Sequence, residues 1–348
     1  MKKVLIHAYA EKNLGDDMFI EYLCTRYPSV SFYIFCLDCY CTAFRAIDNI
    51  NILNPNKTYS NLKFCLQIII GGSIFMQSSN KSVMKKYFTD KKRIVSDIPT
   101  YIIGANFGPY KSPLFFKLYK HWFKSLDRII FRDELSYNLF RLDNMDWAPD
   151  VLFNYNLPLI TKEKIISISC IKRNSRSGLR KYNEAAYFLK LAQIAESYTR
   201  MGFKIVLACF SKTQEDDIAA KMIYDLLSLQ AKFMTEILIY NGDINSFLKR
   251  FLASTYIIGT RFHSVILGWN AGIPAFPICY NNKLNNAINS YGFDGNYTNI
   301  ENLNLLDFSF IDSNRTTLKT INCHHLKEMS KNHFLFLDMI LMECLCNV

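Results

Sequence analysis

Gln67-Ile68-Ile69-Ile70-Gly71-Gly72-Ser73 is the stretch on which the fold turns. Three isoleucines run together without the polar alternation of a half-solvated strand, and two glycines stop them. An apolar β-branched run ending on glycine reads as a strand buried on both faces, with a tight turn at its carboxyl end. The pattern repeats on either side: Val4–Ala10 and Ser31–Leu37 precede it. Thr100–Ala105 follows, stopped among Gly104, Gly108 and Pro109, and Arg128–Phe131 runs into Arg132. Asp16–Arg26 has helical spacing, with Phe19, Ile20 and Leu23 to one side. Strands separated by helices predict a parallel sheet covered on both faces.

Asn154–Lys164, with its Asn, Pro and Lys, is read as a linker to a second series of the same kind. There, strands are expected at Lys164–Cys170, Lys204–Phe210, Ile237–Tyr240 and Tyr256–Gly259. Helices are expected at Asn183–Arg200, ended by Gly202, at Thr213–Gln230 and at Ile244–Ala253. With 348 residues, two domains are the natural count. The expected division is 1–155 for an N-terminal domain and 164–325 for a C-terminal one. Residues 326–348, strongly apolar from His333 to Leu345, are expected as a C-terminal helix packing on the body.

The formal charge of +11 fits an anionic substrate or an acidic surface. The basic residues are scattered, with short clusters at Lys85-Lys86 and Lys91–Arg93, and no nucleic-acid motif accompanies them. Nucleic acid is therefore not an expected partner. The 11 cysteines form no paired metal-binding spacing, even where Cys36, Cys39 and Cys41 lie close, so no metal or other cofactor is expected. Most read as buried thiols of a reducing compartment. The chain starts directly on a strand and has no apolar run of about 18 residues, so a cytoplasmic location is expected. Leu114–Lys124 interleaves aromatics with lysines. It suits a helix covering the sheet, or a peripheral contact with the inner face of an anionic membrane.

Four strand ends carry candidate chemistry. Asn13-Leu14-Gly15-Asp16-Asp17 puts carboxylates at a helix start, where a plain N-cap explains them equally well. Gly71-Gly72-Ser73 allows backbone N–H groups to approach a ligand, or makes a simple turn. Phe131-Arg132-Asp133-Glu134-Leu135-Ser136 delivers an Arg suited to a carboxylate or phosphate, or to a structural pair with Asp133. Thr260-Arg261-Phe262-His263 brings a cation and an acid–base group to one strand end, and Tyr280-Asn281-Asn282-Lys283 follows in the next loop.

Together with Gly104–Pro109, Ala148-Pro149-Asp150 and Gly272-Ile273-Pro274, these segments resemble, in order and spacing, the polysaccharide pyruvyltransferase family. Ser73 and Asp17 are mild departures, standing where a third glycine and a Glu are common. The resemblance implies two doubly wound Rossmann-like domains facing a cleft, as in GT-B enzymes. It implies transfer of a pyruvyl group from phosphoenolpyruvate to a sugar of a surface glycan or its lipid-linked precursor. The N-terminal domain would be the acceptor side and the C-terminal domain the donor side. It makes His263 the catalytic residue and Arg132 and Lys283 the phosphoenolpyruvate ligands. Arg261 is a further candidate for sharing the donor's charge, or it supports its loop. Asn13, Asp16, Asp17, Gly71, Gly72, Asp133 and Asp150 are candidates for acceptor binding or loop positioning. Two rivals remain: a nucleotide-sugar glycosyltransferase, weakened by the lack of any Glu between Glu236 and Glu301, and a non-catalytic partner in glycan assembly.

Overall fold

A computed structural model of the chain describes residues 2–77, 83–173 and 182–342. Two compact units are present. The first comprises Met1–Lys12, Asp16–Tyr155 and Lys327–Val348; the second comprises Asn13–Gly15 and Asn156–Leu326.

The first unit is built on β1 Lys3–His7, β2 Ser31–Phe35, β3 Ile50–Leu53, β4 Leu66–Ile70, β5 Thr100–Ala105, β6 Arg128–Phe131 and β7 Met145–Trp147. They pair in the order β3-β2-β1-β4-β5-β6-β7. Every pairing is parallel. Helices α1 Leu14–Arg26, α2 Val83–Lys92, α3 Pro113–Phe123 and α4 Glu134–Phe140 make crossovers. β4 and β5 are buried along their whole length, whereas β2 alternates. That is the burial a sheet covered on both faces imposes on its inner strands.

The second unit carries β8 Ile165–Ser169, α5 Glu184–Arg200, β9 Lys204–Cys209, α6 Asp216–Asp225, α7 Leu229–Phe233 and β10 Thr235–Ile239. It continues with α8 Ile244–Leu252, β11 Tyr256–Gly259, α9 Phe262–Asn270, β12 Ala275–Cys279, α10 Asn282–Ser290, β13 Thr298–Asn299 and α11 Phe308–Thr316. Its sheet runs β10-β9-β8-β11-β12-β13, again parallel throughout. The expected α/β class with two doubly wound parallel sheets is what the structure contains. In each sheet the strand order reverses once, at β1/β4 and at β8/β11, the position where such sheets bind ligands.

One expectation is corrected. The helix read over Thr213–Gln230 is broken: a 3-10 turn at Lys212–Gln214 precedes α6, and the Ser228 side chain caps a separate α7 by accepting from the Ala231 N–H. The Leu114–Lys124 segment is the helix covering the sheet: it forms α3, started by Ser112 and Pro113, and its aromatics Phe115, Tyr119, Trp122 and Phe123 are buried in the core of the first unit. Its apolar face is thereby consumed by the fold. No helix among the described residues is long and apolar enough to cross a membrane.

After α11 the chain forms α12 Cys323–Ser330 and α13 Leu335–Met342. Leu337 and Leu341 are buried, and Asp338 accepts from Arg26 Nε and Nη2, at 2.9 and 2.6 Å, and from the Tyr27 hydroxyl at 2.7 Å. Cys344, Cys346 and the end of the apolar tail lie outside the described residues.

Candidate functional site

In the first unit, β6 ends and Arg132 begins the loop, its N–H held by the Ala105 carbonyl at 2.9 Å. The residue is buried, with only 4% exposed. Nη1 donates to Asp150 Oδ2 at 3.2 Å and Nη2 to Asn106 Oδ1 at 2.8 Å. Asn106 is itself fixed, its Nδ2 donating to the Gly108 carbonyl at 3.1 Å. Asp150 is fully buried and also accepts from the Leu152 N–H at 3.0 Å. Burial pushes the Asp150 carboxyl above its usual range, against the pull of Arg132 and of that N–H.

Gly72 lies directly against the guanidinium. A Cβ there would fall 2.6 Å from Nη1, 2.8 Å from Cζ and 2.9 Å from Nη2. The close approach read from Gly71-Gly72 is thus made, at Gly72, by the protein's own Arg132. At Gly71 a Cβ would come 3.5 Å from Asp16 Oδ1, so Asp16 borders the same turn. Asp16 and Asp17 sit in the first turn of α1, and Asp17 is fully buried. Asp133 caps α4, accepting from the Ser136 N–H at 2.8 Å and hydroxyl at 3.0 Å, while Ser136 Oγ accepts from the Phe107 N–H at 2.9 Å.

In the second unit, His263 lies in the first turn of α9, straight after β11 at the reversal of strand order. Its neighbour is Gly15: a Cβ on Gly15 would lie 1.7 Å from His263 Nδ1. Two motifs far apart in sequence therefore meet, and the Leu14 N–H fixes this approach by donating to the Phe210 carbonyl at 3.0 Å. Asn13 forms an isolated bridge with Ser211 and accepts from the Gly15 N–H at 3.2 Å. Lys283, half-buried in the first turn of α10, has its N–H capped by Asn281 Oδ1 at 3.1 Å. His263 and Lys283 thus follow neighbouring strands, β11 and β12, at one edge of the sheet.

Arg261 is engaged by the protein. Nε donates to Asp216 Oδ2 at 2.9 Å, Nη2 to Asp216 Oδ1, and Nη1 to Gln214 Oε1 at 2.6 Å. Burial alone would lower its pKa, but Asp216 outweighs that and holds the guanidinium charged. Its backbone is pinned too: Ser169 Oγ accepts from the Arg261 N–H at 3.2 Å and Ser264 Oγ donates to its carbonyl at 2.6 Å. The geometry is that of a brace for the strand-to-helix turn that leads into His263.

Sequence reasoning missed Asn106, Gln214 and Asp216 as partners of the two arginines. Asn106 lies within a quoted motif, but Gln214 and Asp216 carry no local signal, because only the packed sheet brings them to Arg261.

Among solved structures, the chain is similar to Anabaena Alr3699/HepE in complex with UDP and glucose, at 10% identity and a TM-score of 0.57, covering 100% of both chains. It is also similar to UDP-GlcNAc 2-epimerase from Neisseria meningitidis bound to UDP-GlcNAc, at 12% identity and a TM-score of 0.60, covering 98% of this chain and 100% of that one. The UDP-GlcNAc 2-epimerase from Methanocaldococcus jannaschii gives 9% identity and a TM-score of 0.55, with 97% and 100% covered. At such identities the likeness establishes a GT-B-like fold and nothing finer. A search of curated proteins found no sequence match. The family model for polysaccharide pyruvyl transferase matches residues 13–282, which run from Asn13 through Asn282 and stop one residue short of Lys283, and the chain belongs to that family.

Proposed function

We propose that this protein transfers the pyruvyl group of phosphoenolpyruvate to a sugar of a cell-surface glycan or its lipid-linked precursor, forming a ketal. Family membership over residues 13–282 carries this reading. In it, one sugar hydroxyl adds to C2 of the enol phosphate and gives up its proton while a proton is delivered to C3, which becomes a methyl group; the proton given up restores the donor. A second hydroxyl then displaces phosphate from C2, and its proton leaves with the phosphate. His263 is the proton donor, or it steadies the leaving phosphate. A positioned acid of this kind is worth about 10²–10⁴ in rate.

Lys283 is assigned to the anionic donor, in the unit proposed as the donor side. Arg132, braced by Asp150 and Asn106, is assigned to the donor's negative charge as well. Arg261 acts through the start of α9, which it supports. Asp133 and Asp150 position neighbouring groups, and Asn13, Asp16, Asp17, Gly71 and Gly72 shape the strand ends. The reaction is placed in the cytoplasm, where phosphoenolpyruvate is made, at or near the inner face of the membrane if the acceptor is lipid-linked.

Calorimetry with phosphoenolpyruvate tests the reading on the wild type and on Lys283→Ala, Arg132→Ala and His263→Ala. Saturable wild-type binding is expected. It should weaken about tenfold or more on loss of either cation, the worth of a hydrogen bond to a charged group. His263→Ala should bind nearly as the wild type does. A wild type that ignores phosphoenolpyruvate and takes up a uridine diphosphate sugar would replace this reading with the glycosyltransferase one.

A further inference from the structure

The matched family region ends at residue 282, but the carboxyl-terminal stretch of the first unit reaches the loop that carries Asp150, the partner of Arg132. Ser330 Oγ donates to the Asp150 carbonyl at 2.9 Å and accepts from Asn154 Nδ2 at 2.8 Å. His333 Nε2 pairs with the Pro149 carbonyl at 2.8 Å. A carbonyl only accepts, so Nε2 carries the proton of the neutral ring and Nδ1 does not. Ser330 is fully buried and His333 is 2% exposed. One short segment therefore holds two consecutive carbonyls of the loop after β7.

That loop presents the carboxylate that bonds Arg132. The path is continuous: Ser330 and His333 fix the backbone at Pro149 and Asp150, Asp150 Oδ2 fixes Nη1, and Asn106 fixes Nη2. A loop in need of cover alone would be packed with apolar side chains. Burying a hydroxyl and an imidazole costs free energy unless both are hydrogen-bonded, and here both bonds go to this loop. We propose that Ser330 and His333 are positioning residues, a strap that sets the Arg132 guanidinium through Asp150. Its consequence for donor affinity rests on the reading of Arg132 given above.

The test has a readout that needs no substrate. The ¹H–¹⁵N signal of Arg132 Nε is identified by its loss in Arg132→Lys. His333→Ala and Ser330→Ala should shift it. His333→Gln, whose amide nitrogen reaches the position of Nε2, should bring it back. Phosphoenolpyruvate affinity should fall about three- to tenfold in His333→Ala and recover in His333→Gln. Thermal melts confirm that each variant is folded, and if His333→Ala is not, Ser330→Ala decides alone. An unmoved Arg132 signal in a folded variant overturns the strap. A shifted signal with unchanged phosphoenolpyruvate affinity overturns its effect on the donor. A wild type that binds no phosphoenolpyruvate, while the signal still shifts, overturns the donor reading and leaves the strap standing.

Discussion

Arg132 and Arg261 have the same design in two places: an arginine just past a strand end, locked to a fully buried aspartate. Removing one partner of such a pair strands a charge. Asp150→Ala should therefore cost about 3–5 kcal/mol in urea unfolding, and the double variant Asp150→Ala/Arg132→Met should cost less than the single one. Gly15→Ala separates helix propensity from packing. Alanine favours a helix by about 1 kcal/mol over glycine, yet here its Cβ would sit 1.7 Å from His263 Nδ1. The clash wins, so the imidazole signals of His263 should shift and stability should not rise. His333 adds a pH dependence. Burial holds its pKa near 4 instead of 6.5, opposed by the Pro149 carbonyl and reinforced by the positive charge of Arg132. The unfolded chain thus takes up the proton first. The stability contribution is intact above pH 6.5 and is lost as pH falls from there toward about 4. His333→Gln should flatten that slope in melts recorded across the window. At this scale the types of the candidate residues were readable, because Arg, His and Lys announce their chemistry. Their partners were not: Arg132 and Asp150 are 18 positions apart and meet only because β6 and β7 are neighbours.

Among the elements, the inner strands were readable because burial on both faces writes an unbroken apolar run. β3, β7 and β13 were missed because they are short and polar-containing, and β12 because Pro277 interrupts its pattern. A proline lacks the N–H that a sheet ladder uses, so it argues against a strand that the packed sheet nevertheless accommodates. α3 was ambiguous for a different reason. Aromatics at helical spacing bury equally well in a bilayer interface or against a sheet. The fold chose the sheet, with Phe75 and Tyr87 packing edge-on against Trp122 at centroid distances of 6.1 and 6.3 Å. Trp122→Ala should cost about 3–5 kcal/mol in urea unfolding, whereas a side chain waiting for a membrane would cost almost nothing in solution.

At the scale of the whole molecule, each sheet builds its own core, and α13, the last helix among the described residues, packs in the first unit. Phe334, Leu337 and Leu341 are buried there, and Arg26 and Tyr27 anchor Asp338. Deleting residues 327–348 should lower the melting temperature and expose the first unit to protease, while the second unit keeps its protection. Hydrogen exchange would separate the two. The sequence by itself determined the α/β class, the two strand–helix series and the residue types at the strand ends, because each is a local pattern of burial or punctuation. Only the tertiary structure decided which groups meet: Gly15 with His263, Gly72 with Arg132, Asp216 with Arg261, and Ser330 and His333 with the loop of Asp150. Those contacts depend on strand order and on the path of the chain's end, and no local pattern encodes either.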